Sequence, residues 1–195
     1  ATEYRDILES NAEELEHMAR MISDMLLLAK AEHGLAAMPT ATRLGLAGEM
    51  LALFDYYEAV AEEKGVQLVL TGDATVAADR LMLRRALGNL LSNAIRHATP
   101  HTRLQVNIST HDDGVSLFME NTGEAIPPEF LERIFDRFFR VDASRQRSEG
   151  TGLGLAIAKS IVLAHGGSIS ASSSQAQTRF TIKLPKMAEV NPDRF

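Results

Sequence analysis

The chain has 195 residues, no cysteine and a formal net charge of −6, with 45% hydrophobic and 24% charged residues. This is the composition of an ordinary soluble globular protein of one or two domains. The missing cysteines exclude a disulfide framework and a zinc–thiolate centre, and the acidic balance argues against a general nucleic-acid or anionic-membrane surface.

No apolar run approaches the ~20 residues of a membrane span. No signal peptide opens the chain, since Ala1-Thr2-Glu3-Tyr4 already lies inside an amphipathic pattern. Such a start is expected of a piece cut from a longer protein. Residues 2–33 are predicted to form one long helix. Tyr4, Ile7, Leu15, Met18, Ile22, Met25 and Ala29 recur at steps of three and four, and Leu8, Met21 and Leu28 widen the stripe. At 1.5 Å per residue this helix would be roughly 48 Å long, more than a small domain hides. Gly34 ends it, Met38-Pro39 blocks its continuation, and residues 35–42 are expected to be a linker.

An α/β unit is expected over 43–185. Helices are predicted near 45–64, 79–98, 128–134 and 152–165, and strands at 66–70, 74–77, 104–110, 115–120, 168–173 and 178–184. Leu104-Gln105-Val106-Asn107-Ile108 and Phe180-Thr181-Ile182-Lys183-Leu184 alternate as one-sided strands do. Helices on one face of the sheet would make two layers around one core. The tail at 186–195 shows no packing pattern and is expected to fray.

The helix beginning after Asp79, a plausible N-cap, buries Leu83, Leu87, Leu90, Leu91 and Ala94. Asn89, Asn93 and His97 recur every four residues on the other side, with Arg96 beside them. A plain solvated face could account for this. However, Asn is a weak helix former, and a mid-helix pair has no structural merit. A neutral amide oxygen suits Mg²⁺ already held by phosphate, and an Arg fork suits phosphate itself. Downstream, Glu120-Asn121-Thr122-Gly123-Glu124-Ala125-Ile126-Pro127 follows a strand and by itself reads as an ordinary turn. Gly150-Thr151-Gly152-Leu153-Gly154-Leu155 leads into a helix, where backbone N–H groups and the helix dipole favour phosphate. It follows no strand and lacks Gly-Lys-Ser/Thr, so neither a dinucleotide fold nor a P-loop fits. Between them, Ile134-Phe135-Asp136-Arg137-Phe138-Phe139-Arg140 can anchor in the core. The polar run at 141–149 has the character of a mobile lid.

Asn box, glycine turn, Phe-rich box, polar loop and second glycine box, in this order, resemble the ATPase domain of sensor histidine kinases from about residue 43 to Pro185. The segment Met25-Leu-Leu-Leu-Ala-Lys-Ala-Glu-His-Gly34 looks like the end of the second helix of that family's dimerisation hairpin. Arg140-Val-Asp-Ala-Ser-Arg-Gln-Arg147, with Asn121 in the glycine turn, is similar to the heavy-metal (copper/silver) sensor subgroup. The resemblance implies an α+β fold, a two-layer α/β sandwich of the histidine kinase/gyrase/chaperone ATPase type, preceded by one long dimerisation helix in residues 1–34.

It also implies a site with ATP and Mg²⁺ as cofactors. Asn93 would be the metal ligand, while Asn89 and Arg96 would contact phosphates. Arg140 would reach the terminal phosphate and stabilise charge during transfer. His97, Gly123, Ile126 and Phe135 would line the nucleotide, and Gly150, Thr151, Gly152, Leu153, Gly154 and Leu155 would form hinge and cradle. Asn121 stands where the family usually has an Asp accepting a hydrogen bond from the adenine amine. An amide oxygen can accept it too, without charge assistance. Glu124-Ala125, where a Gly is usual, stiffens this turn. The implied partners are a response regulator and a second copy in a homodimeric parent. The parent would be a bacterial inner-membrane protein with this soluble part in the cytoplasm, touching neither nucleic acid nor membrane.

The family's phosphoacceptor motif, Ser-His-Glu-Leu-Arg-Thr-Pro or close to it, is absent. His17 lacks its flanking residues and is expected at the surface. His33 and His165 precede glycines at helix ends, where a cation suits the dipole, and His101 and His111 are expected in loops. Gyrase- and chaperone-type ATPases use a Glu on the Asn-box helix as general base, and the corresponding residue here is Asn89, which takes no proton. Transfer to a histidine outside this stretch is therefore favoured over hydrolysis. The alternatives are a gyrase/chaperone-type ATPase, or a degenerate nucleotide sensor or dimerisation module.

Overall fold

The computed structural model describes residues 41–141 and 151–186, together with residues 11, 15, 18, 19, 21–26 and 28 of the N-terminal stretch. Those N-terminal residues are helical. The remainder of the helix expected over 2–33, most of the linker, the loop with Gly150, and the tail lie outside the described residues.

The one-sided alternation builds a five-stranded mixed sheet. Its strands are β2 (Gln67–Thr71), β4 (Arg103–His111), β5 (Gly114–Thr122), β7 (Gln177–Pro185) and β6 (Ser168–Ser174), in that spatial order. β2 runs parallel to β4 and the other pairs are antiparallel. One face carries the rows Leu104-Val106-Ile108, Val115-Leu117-Met119 and Phe180-Ile182-Leu184, all buried. Helix α2 (Arg80–His97) and α3 (Gly154–Ala164) cover that face with Leu83, Leu87, Leu90, Leu91 and Ala94, and with Ile157, Ala158 and Ile161. The other face carries polar residues, where Arg179 pairs with Glu120 at 2.6 Å and lies over the Phe118 ring. The structure is thus an α+β two-layer sandwich.

Helix α1 (Leu46–Glu63) packs on α2 and ends at Lys64, with Gly65 taking the left-handed position (φ +67°). Asp79 caps α2 by accepting the Met82 N–H at 3.0 Å. Several details depart from the sequence expectation. Thr42, placed at the end of the linker, begins a short strand β1 (Thr42–Gly45) that pairs antiparallel with β3 (Thr75–Ala78). The helix expected at 128–134 is two 3₁₀ turns, Pro128–Phe130 and Arg133–Phe135, as suits a short stretch behind Pro127-Pro128. His111 closes strand β4 rather than lying in a loop. His165 is buried, with Nδ1 donating to the Ile161 carbonyl at 2.7 Å and Nε2 accepting the Asp79 N–H at 3.1 Å. Those two bonds join the start of α2 to the end of α3, so this histidine is a buried link between the helices rather than an exposed helix-end side chain.

Candidate functional site

Two faces of α2 divide its labour. The leucine stripe is buried, Asn89 and Asn93 are half-buried, and Arg96 and His97 are exposed. Asn89 Nδ2 donates to the Gly154 carbonyl at 3.0 Å, which ties the second glycine box to the Asn face. Gly154 opens α3, so the N–H groups of that helix's first turn start beside Asn89. The helix begins two residues later than expected because Gly152 is left-handed (φ +70°). A Cβ at Gly152 would lie 2.9 Å from Phe138 Cα, so this position requires glycine. Phe138 is itself left-handed (φ +61°), and its N–H donates to the Gly152 carbonyl at 3.0 Å. The Phe-rich box and the second glycine box therefore meet directly, with exposed Arg140 two residues further on. The Thr151 hydroxyl accepts the Leu153 N–H at 3.3 Å, Leu153 is buried, and Leu155 packs half-buried on the core. Gly150 lies outside the described residues.

The other end of the site is built on β5. Its inward row runs Val115, Leu117, Met119 and then Asn121, which is only 1% exposed. Among the described residues Asn121 Oδ1 has no hydrogen-bond partner, and Nδ2 makes a single long contact of 3.5 Å to the Thr122 carbonyl. Across the ladder it faces Thr178 of β7, also buried. The Thr178 hydroxyl meets Ser173 Oγ at 2.9 Å, and Ser173 in turn accepts the Ile126 N–H at 2.9 Å. A polar nest thus sits at the rim of an apolar sheet face. Gly123 is held against the end of α2, where a Cβ would lie 2.2 Å from the His97 carbonyl. A bridge between Ala98 and Gly123 and the bond from Thr99 N–H to the Thr122 carbonyl (2.7 Å) complete the junction.

Sequence reasoning missed Thr178, Ser173, Tyr57 and Lys64. On α1, burial, then Tyr56, raise the Tyr57 pKa above the usual 10.0, opposed by Ser92 of α2 and by Arg96. Lys64 Nζ donates to the Ile95 carbonyl at 3.0 Å and to the Arg96 carbonyl. Burial, then the Arg96 guanidinium, push its pKa below the usual 10.5. Phe135 has a different setting from the Asn residues. It is buried with its ring edge-on to Phe180 at 6.4 Å, and it lines a groove of about 490 Å³ with Leu28, Ala156, Lys159 and Leu163. That groove contains none of Asn89, Asn93 or Asn121.

Comparisons with known proteins point the same way. Residues 78–188 match the family described as histidine kinase-, DNA gyrase B- and HSP90-like ATPase. The chain is 52% identical over 186 residues to sensor histidine kinase CusS of Escherichia coli O157:H7, covering 94% of this chain and 38% of that protein. It therefore spans about two-fifths of the length of the curated relatives it matches. Among solved structures, the catalytic domain of histidine kinase ThkA superposes with a TM-score of 0.67 at 27% identity, covering 75% of this chain and 95% of that one. A structure of ThkA in complex with response regulator protein TrrA superposes at 0.70 and 23% identity, covering 90% and 49%.

Proposed function

We propose, from the premise that this chain belongs to the histidine kinase-, DNA gyrase B- and HSP90-like ATPases and is the catalytic part of a sensor histidine kinase, that it presents ATP·Mg²⁺ for phosphoryl transfer to a histidine. The phosphoryl group would then pass to an aspartate of a response regulator. The observation that carries the nucleotide reading is the orphaned Oδ1 of Asn121. A buried acceptor without a donor destabilises the fold that holds it, and the exocyclic amine of adenine is a donor of the right kind.

The rest of the site fits the remaining parts of the nucleotide. Arg96 and Arg140 supply guanidinium groups for phosphate, with Arg140 assigned to the terminal one. The first turn of α3 and the flanking glycines supply backbone N–H groups. Among the described residues no three His, Cys, Asp or Glu side chains converge. Asn93 would therefore hold Mg²⁺ jointly with phosphate oxygens, as this ion commonly prefers, and the bound ion would neutralise phosphate charge. Asn89, committed to Gly154 and without basicity, does not activate water, which favours transfer over hydrolysis.

The division of the chain follows the same reading. Residues 1–34 would be the second dimerisation helix, 35–42 the linker except that Thr42 belongs with β1, 43–185 the catalytic domain and 186–195 a tail. The parent is a homodimeric membrane sensor of the heavy-metal subgroup, with this part in the cytoplasm. The 52% identity to CusS supports the subgroup, and the ThkA–TrrA complex supports the partner class. No described helix is long and apolar enough to cross a membrane.

Titration with a non-hydrolysable ATP analogue tests the reading. Saturable binding should tighten with Mg²⁺. Asn93→Ala should abolish that Mg²⁺ gain, about tenfold in affinity, while leaving adenosine binding in place. No saturable binding by the wild type would favour the degenerate-module alternative. Steady ATP hydrolysis lost in Asn89→Ala would favour the ATPase alternative.

A further inference from the structure

We propose that Lys64 is a positioning residue for the phosphate end of this site: from the end of α1 it clamps the last turn of α2, which carries Arg96 and His97. The inference rests on the nucleotide reading above and deepens it.

Helix α2 ends without the left-handed glycine that usually satisfies terminal carbonyls. Its C-cap, Ala98, is extended (φ −66°, ψ 141°) and returns only one N–H, at 3.3 Å, to the Ile95 carbonyl. Lys64 adds donors there, its Nζ donating to both the Ile95 and the Arg96 carbonyls. The clamp has a second point of attachment. Tyr57 lies seven residues earlier, on the same face of α1, with its hydroxyl against Gly88 of α2. α1 therefore holds the half of α2 that bears the phosphate-facing side chains, and Ala98 and Thr99 pass directly to the Asn121 turn.

A simple cap explains only part of this. The ammonium is half-buried, and burial, then the charge of Arg96, disfavour its protonated form. Lys64 and Arg96 thus bring two positive charges to one helix end, which an anion would offset. The arrangement is therefore poised for a polyphosphate, and the backbone of Arg96 is fixed before the ligand binds.

The test compares Lys64→Met, Lys64→Gln and Lys64→Arg with wild type, measuring dissociation constants for adenosine, ADP and a non-hydrolysable ATP analogue with Mg²⁺ by calorimetry. Amide NMR shifts of Arg96 and His97 would be followed in parallel. K64M and K64Q should weaken the ATP analogue about tenfold, ADP less, and adenosine less than about twofold, and the charge-keeping K64R should recover most of the loss. An equal loss for all three ligands, or none for any, overturns the inference while leaving nucleotide binding intact. Should K64M fail to fold, the contrast between K64Q and K64R decides. A wild type that binds none of the three ligands overturns the nucleotide reading itself.

Discussion

A buried amide oxygen with no donor weakens the apo fold and rewards whichever ligand brings one. Asn121 is that group, and its surroundings explain why an amide can stand there. Its row neighbours are Val115, Leu117 and Met119, and the ladder places neutral Thr178 opposite. A carboxylate would be desolvated there, with no cation among these neighbours to compensate. Asn121→Ala should therefore weaken adenosine about five- to hundredfold, the cost of one lost buried hydrogen bond. Asn121→Asp should tighten adenosine about fivefold by charge assistance while lowering the melting temperature of the ligand-free protein. Calorimetry and thermal unfolding on the same three proteins check both, and unchanged adenosine affinity in Asn121→Ala would remove Asn121 from the base pocket. At this scale the sequence was half legible. Helical spacing alone places Asn89, Asn93 and Arg96 together. Strand alternation marks Asn121 as inward-facing, but that its oxygen is orphaned depends on β7, as do the contributions of Thr178 and Ser173.

The elements were legible wherever periodicity had room to repeat. The alternating strands β4 and β7 and the four-residue spacing in α2 emerge within a residue or so of their observed bounds. Strand β1 has four residues, too few for a period, and exists only because β3 pairs with it. The 3₁₀ turns at 128–135 lack the length to reveal which helix they are. The α1–α2 contact was likewise hidden, since it depends on Gly88, a poor helix residue placed in mid-helix. A Cβ there would lie 3.5 Å from Leu53 Cδ2 and 3.9 Å from the Tyr57 hydroxyl, ordinary contact distances. The glycine is thus not demanded by space for a methyl group, although a larger side chain would drive α1 away. Gly88→Ala should stabilise the protein by about 0.5–1 kcal/mol through reduced backbone entropy loss. Gly88→Leu should destabilise it by about 1–3 kcal/mol by overpacking. Urea unfolding measures both, and a destabilising Gly88→Ala would show that α1 and α2 touch more closely than those distances allow.

At the scale of the whole molecule, the question is whether the N-terminal helix is part of the folded unit or docked on it. The catalytic core closes on itself, because the three apolar rows of the sheet are covered by α2 and α3. The described N-terminal residues reach that core mainly through Leu28, which is buried, with Met21 half-buried behind it. Asp24 adds an ion pair to Arg85 on α2. Meanwhile Leu15, Met18, Ile22, Met25 and Leu26 remain exposed, so most of the stripe faces away from this contact. Burying one leucine contributes about 1.5–3 kcal/mol, and a partly exposed ion pair about 0–1 kcal/mol. That sum is small beside a domain's core, so the contact should be separable. The double variant Asp24→Asn, Leu28→Ala should lose amide exchange protection across residues 21–26 while α2 and β5 keep theirs within a few-fold. Hydrogen exchange read residue by residue distinguishes the cases. If α2 and β5 lose protection together with 21–26, the helix is integral to the catalytic fold. If they do not, the helix is a detachable arm, which the phosphotransfer reading requires, because a donor site must move relative to the element that brings its acceptor.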